Sequence, residues 1–186
     1  MYIHKLVHTL FCFFAYIEKK KIMVQNNFNW KKGIFSDTYR VYSNNQHIGE
    51  LKNRTFSQSS PGKINGNSYT FRTKGFFKQH TEIIDNSDNS VIGEIAYSNW
   101  MTKAFISINE REHIWKYDNI WNTKWSIRDS DNEIINYKGS SSSGQIESDA
   151  NNDLLLLTGL YVTNYYWQMT VVILIAVLTP IFASSR

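Results

Sequence analysis

The chain has 186 residues, 42% of them hydrophobic and 15% aromatic, which is enough for one domain with a true core plus a tail but not for two full domains. Its single cysteine, Cys12, excludes an intrachain disulfide and any cysteine-based metal cage. The net charge of +4 is uneven: residues 1–50 sum to +4, residues 51–81 to +6 with no Asp or Glu, residues 82–153 to −7, and Arg186 adds +1.

At the start, Leu6 to Ile17 is a short apolar stretch followed by Glu18 and Lys19-Lys20-Lys21. It falls below the roughly 17 to 25 residues of a bilayer span. Its charge follows the apolar stretch, and no small-x-small cleavage site lies near Tyr16 to Met23, both of which argue against a secretory signal. Residues 1–22 read as an extension outside the domain, best explained by a start at Met23, next by an interfacial anchor and least by secretion.

From Met23 to about Ser148 the pattern is all-β. Tyr39 to Tyr42, Thr81 to Ile84, Phe105 to Ile108 and Trp125 to Arg128 are short segments rich in β-branched and aromatic residues, mostly alternating, as suits strands with one buried face. Between them Ser43 to Gln46, Asp85 to Ser90 and Asp129 to Asn132 are polar turn clusters that tolerate left-handed backbone. The hairpins recur: Ile48-Gly49-Glu50-Leu51 returns 44 residues later as Ile92-Gly93-Glu94-Ile95, and Glu133-Ile134-Ile135 is a third copy without the glycine. Three units are too few for a propeller, so a closed barrel or sandwich is expected, with Gly49 and Gly93 at bends or close approaches.

The final segment has no charged side chain from Leu154 to Ser185. Asn151-Asn152-Asp153 offers N-caps and a carboxylate for the positive end of a helix, after which Leu154 to Val162 is apolar on every face. Asn164 to Gln168 forms an aromatic, amphipathic band of the kind favoured at a membrane boundary, and Met169 to Ala183 is again apolar. The composition predicts two parts: an enclosed helix, with Leu154, Leu155, Leu156, Leu157 and Leu160 as the filler, and a tail over 169–186 as a candidate membrane segment; a tail anchor in which the whole run leaves the domain for lipid is the alternative.

The repeated hydrophobic-Gly-Glu-hydrophobic strands, the aromatic-rich middle, and the apolar helix after Gly144-Gln145-Ile146-Glu147 resemble the tubby C-terminal-like superfamily, which includes tubby, the phospholipid scramblases and the LURP-one-related proteins of plants. Over residues 28–167 the resemblance implies a closed antiparallel barrel of twelve strands threaded by its own C-terminal helix, here about Asn152 to Trp167, within a domain over 23–168. It also implies binding of phosphoinositide or other anionic lipid.

Chemistry is sparse. No nucleophile elbow, zincin motif, phosphate loop or dinucleotide fingerprint is present, so no enzymatic activity and no cofactor are expected. His47, His80 and His113 are spaced 33 residues apart, a spacing better suited to surface or edge imidazoles than to a metal trio. Asp129, Asp131 and Glu133 alternate like the start of a calcium loop, and scramblases as a family are held to bind calcium through an acidic stretch before the helix. Against that, Ile134 stands where the loop glycine belongs and Ser140 where the distal Glu belongs, so a hairpin turn is the better reading. Lys52, Arg54, Lys63, Arg72, Lys74 and Lys78 meet no acid in their own segment and are interleaved with aromatics, which makes them the candidate lipid-facing residues. A solvated face balanced by the acidic half is the plain alternative, and nucleic acid the weakest partner.

The expected function is that of a non-enzymatic, intracellular, membrane-associated lipid-binding or interaction module. A soluble cytoplasmic barrel that binds an unidentified protein, its helix wholly internal, is the alternative. A calcium-linked lipid scramblase ranks third.

Overall fold

The computed structural model describes residues 26–33, 36–53, 57–75, 79–129, 132–149 and 152–183, the side chains of 133 and 181–183 apart. Strands β1 (Asn26–Lys32), β2 (Thr38–Ser43), β3 (Gln46–Lys52), β4 (Ser59–Ile64), β5 (Asn67–Lys74) and β6 (His80–Asp85) form the first half of the wall. The second half is β7 (Ser90–Tyr97), β8 (Lys103–Ile108), β9 (Arg111–Tyr117), β10 (Lys124–Arg128), β11 (Glu133–Gly139) and β12 (Ser143–Ser148), followed by helix α1 (Asp153–Ala183). Every strand pairs antiparallel with its chain neighbours, and β1 pairs with β12 to close the barrel. The fold is a closed, mainly β barrel of twelve strands, one of the two architectures, barrel or sandwich, that the strand pattern leaves open.

Alternation sets the wall. In β4, β8 and β12 buried and outward residues alternate one by one, and Val41, Leu51, Phe71, Ile83, Ile95, Ile106, Ile127 and Ile146 point inward with no residual exposure. The sequence repeat is structural. Its three copies lie on β3, β7 and β11, four strands apart, and each sits at a register shift: opposite Val41/Tyr42, Ile83/Ile84 and Ile127/Arg128. The extra residue is Ile48, Ile92 and Ile134 in turn, and each packs partly buried against the core. The barrel is therefore three four-strand units with a bulge in each.

The glycines of the motif follow from that geometry. A Cβ on Gly49 would lie 2.7 Å from the Lys63 carbonyl oxygen, and one on Gly93 would overlap the Ser107 carbonyl oxygen. The third copy has Ile135 at this place, whose partner on β12 is Ser148, the last residue of that strand.

The interior is filled by α1. Asn152 caps it, its side-chain oxygen accepting from the Leu154 N–H at 3.1 Å, and Asp153 supplies the carboxylate at the positive end. Leu154 to Val162 is buried throughout, as an all-round apolar helix inside a barrel requires. The expected division into two parts does not occur in the backbone: α1 is one helix of 31 residues. Thr163 and Thr170 place their hydroxyls on carbonyls one turn back, which satisfies them without breaking the helix at the aromatic band. The change comes instead in burial, between Tyr166 and Trp167.

Burying a leucine such as Leu157 contributes roughly 1.5–3 kcal/mol. Leu157→Ala, with no residual exposure at the site and strands fixed on all sides, is expected to cost roughly 2–5 kcal/mol in denaturant titrations of the barrel. Leu174→Ala, on the exposed half of α1, should change the same midpoint by no more than about 0.5 kcal/mol.

Candidate functional site

The two rims of the barrel differ. At the lower rim, where α1 begins, strands join through tight turns with left-handed asparagines, among them Asn44 at φ 49° and Asn65 at φ 46°. Asn65 also donates to Asp153 at 2.6 Å, tying the helix start to that rim. At the upper rim, where α1 leaves, the connections are longer, and two of them carry large apolar side chains into solvent: Trp100 is 86% exposed, Ile120 87% and Trp121 78%.

Polar contacts fix the helix along the barrel axis. The Tyr137 hydroxyl donates to the Leu155 carbonyl at 2.8 Å, with Gly159 lying flush against the same phenol ring. Higher up, the Tyr161 and Thr73 hydroxyls are hydrogen-bonded to each other at 2.7 Å, and the Asn164 side-chain oxygen accepts from the Tyr39 hydroxyl at 3.0 Å and the Lys32 ammonium at 3.3 Å. At the rim the Tyr166 hydroxyl bonds the Lys103 carbonyl, the Tyr165 hydroxyl bonds Gln79, and the Tyr165 ring stacks on Tyr97. The Lys32 ammonium lies over the Tyr39 ring at 4.9 Å and the Trp167 ring at 5.7 Å. Burial holds its pKa below the ordinary lysine value, with Asp37 opposing that shift.

Beyond this collar the helix is mainly apolar and, from Val172 on, exposed. Trp167 is 58% exposed, and Ile173, Leu174, Ile175, Val177 and Leu178 are all exposed. By length and composition α1 is the one helix among the described residues able to cross a membrane. Its first half is spoken for by the barrel, so residues 167–183 remain, roughly 25 Å of helix at about 1.5 Å per residue.

The fold divides the basic run of the sequence. Lys52, Lys63, Arg72 and Lys74 are exposed on β3, β4 and β5, while Arg54 and Lys78 lie outside the described residues. They do not form one uninterrupted patch: Lys63 faces Glu50 across the β3–β4 ladder, Arg72 faces Glu82 across β5–β6, and Lys74 forms an ion pair with Glu82. Lys52 and Lys74 end their strands at the upper rim, whereas Lys63 is near the lower rim.

The antiparallel order instead sorts charge along the barrel axis, which no stretch of sequence displays. Lys32, Lys52, Lys74, Lys103, Lys124 and Lys138 each lie at, or one residue from, the upper end of β1, β3, β5, β8, β10 and β11. Asp85, Glu112, Asp129, Glu147, Asp149 and Asp153 cluster at the lower end, against Lys63, Arg111 and Arg128. Acids near the upper rim are Asp37, Glu50, Glu82, Glu94 and Asp118, the last of which is paired with Lys116 at 3.5 Å and, reaching up from the other end of β10, with Arg128 at 3.7 Å. On the outer wall over β9 to β12, a hollow of about 580 Å³ gathers Lys116, Lys124, Arg128 and Lys138 with only Asp118 and Glu147 as acids. That balance makes it a net positive concavity joined to the upper rim.

No family model matches the chain, and no curated protein or solved structure matches it either.

Among the described residues the remaining sequence candidates lie apart. Asp129 is exposed after β10 and its N–H bonds the Asn132 carbonyl at 3.0 Å, closing a hairpin turn; Glu133 opens β11, and Asp131 lies outside the described residues. Among the described residues no three His, Cys, Asp or Glu side chains are grouped to hold a metal. His47, His80 and His113 fall on β3, β6 and β9, a quarter turn apart around a twelve-strand wall. Only His113 is buried, which lowers its pKa by desolvation.

Gly159 gives a sharp test of the helix seat. In an open helix Gly→Ala stabilises by about 1 kcal/mol. Here the added methyl would overlap the Tyr137 ring, so Gly159→Ala should instead destabilise by roughly 1–3 kcal/mol, read as a lower thermal midpoint.

Proposed function

We propose that this protein is a membrane-anchored, non-enzymatic barrel that holds a folded domain at a lipid surface through the half of its threaded helix left outside the wall. One observation carries the reading: α1 runs without interruption from an enclosed half to a half whose apolar side chains are exposed from Val172 onward. An exposed apolar patch of this size marks an interaction site rather than ordinary surface. An all-round apolar helix offers no polar face to water and suits hydrocarbon. Residues 167–183 come close to the hydrocarbon thickness of about 30 Å, and Trp167 at their base has the amphipathic character favoured at the boundary.

The resemblance noted in the sequence, with its implied affinity for anionic lipid, supports the same direction, as does the outward-facing lysine set. Anchorage, not chemistry, is the activity proposed.

Flotation with vesicles tests this directly. The full chain is expected to rise with the lipid and to resist carbonate extraction. Ile173→Arg together with Val177→Arg should return it to the bottom of the gradient, since each arginine in the middle of a span costs about 2.5–3.5 kcal/mol, while the circular dichroism of the barrel stays unchanged. Wild-type protein remaining at the bottom with every lipid mixture would end the proposal.

A further inference from the structure

The geometry points to the upper rim as a docking surface for an anionic bilayer, on which the barrel is seated upright with its lower rim turned to water; this rests on the anchored reading and adds an orientation and a lipid class to it. Three independent features coincide at that end. The uncovered half of α1 leaves there, held in a collar by Tyr165 and Tyr166. The connections β7–β8 and β9–β10 raise Trp100, Ile120 and Trp121 almost fully into solvent beside it. Strand ends around the circumference place lysines at the same level, and Lys52, Lys103, Lys124 and Lys138 have no acid within ion-pair distance among the described residues.

Each feature has a matching depth in a membrane. The helix enters the hydrocarbon, the tryptophans and isoleucine sit at the headgroup boundary, and the lysines reach lipid phosphates and carboxylates from the water side. The acids of the lower rim would be repelled by the same surface, so the axial charge also excludes the inverted seating. A helix alone would leave the barrel free to tilt on its stem. The rim contacts restrain it.

The test uses full-length protein in a Cys12→Ser background, carrying a single fluorophore at Asn99→Cys or Ile120→Cys on the upper rim or at Ser87→Cys on the lower. Vesicles are phosphatidylcholine alone or equal parts phosphatidylcholine and phosphatidylserine, and acrylamide, which carries no charge, is the aqueous quencher. The upper-rim labels are expected to be shielded in the anionic vesicles and less so in the neutral ones, with the Ser87→Cys label open to acrylamide in both. Changing Lys52, Lys103, Lys124 and Lys138 together to Gln should lower the shielded-to-open ratio at least about fivefold, the worth of a single lysine near an anionic surface, while the protein still floats.

Upper-rim labels as open to acrylamide as Ser87→Cys in protein that does float would overturn the docking surface and leave the anchor standing. Equal shielding in neutral vesicles, or in the Gln variant, would overturn the role of the lysines and the lipid class. Protein that fails to float at all would remove the anchored reading and this inference with it.

Discussion

A closed wall of twelve strands cannot stand around a vacuum, and this constraint governs everything else in the molecule. Its inward side chains reach only part of the way to the axis, so the space must be taken by an element with apolar atoms on every side. Helix α1 meets that need with five buried leucines, and the wall answers with Val, Ile, Leu and Phe on its inner face. Mutual dependence follows: neither the sheet nor the buried half of the helix has a complete core without the other.

Apolar filling alone would let a smooth rod slide. The hydroxyls of Tyr137, Tyr161 and Tyr39, with the side-chain oxygen of Asn164 on the helix, are satisfied only at one axial position, and Gly159 accepts the Tyr137 ring only there. These bonds fix which residue marks the exit. The tyrosines at positions 165 and 166 remain within the rim and Trp167 stands outside it. A one-turn slip would expose Tyr166 or draw apolar tail into the barrel, at the expense of several buried hydrogen bonds.

Much of this architecture was legible in the residues. The strand pattern, the turn clusters and the repeated Ile-Gly-Glu motif are local, so they can be read along the chain, and the motif turned out to mark the bulges at Ile48, Ile92 and Ile134. The enclosed helix was visible as a leucine run too apolar for any surface. Its continuity through residues 163–170 was not, because an aromatic band looks like a boundary in sequence even where the backbone bonds pass straight through it. The candidate site was the least legible. Lysines such as Lys52 and Lys124 are far apart in sequence and share a rim only because successive strands reverse direction. Summing charge over residues 51–81 and 82–153 cuts across that axis, so the four lysines of the acidic half that gather near the upper rim disappeared into its negative total.

The joining of β1 to β12 gives the molecule a particular history as it is made. Synthesis delivers the wall first and its filling last, and the two strands that complete the circle are the earliest and latest of the set. Until the leucines of α1 emerge, the sheet has no reason to curl shut and its unpaired edges stay open to other chains, a slow, long-range closure of the sort that invites aggregation. The same rod that occupies the barrel also bears the greasy outer half, so locking the domain and presenting that exposed apolar half are one event: a nascent chain cannot hold the outer half in a fixed mount before its cylinder is sealed around the other end.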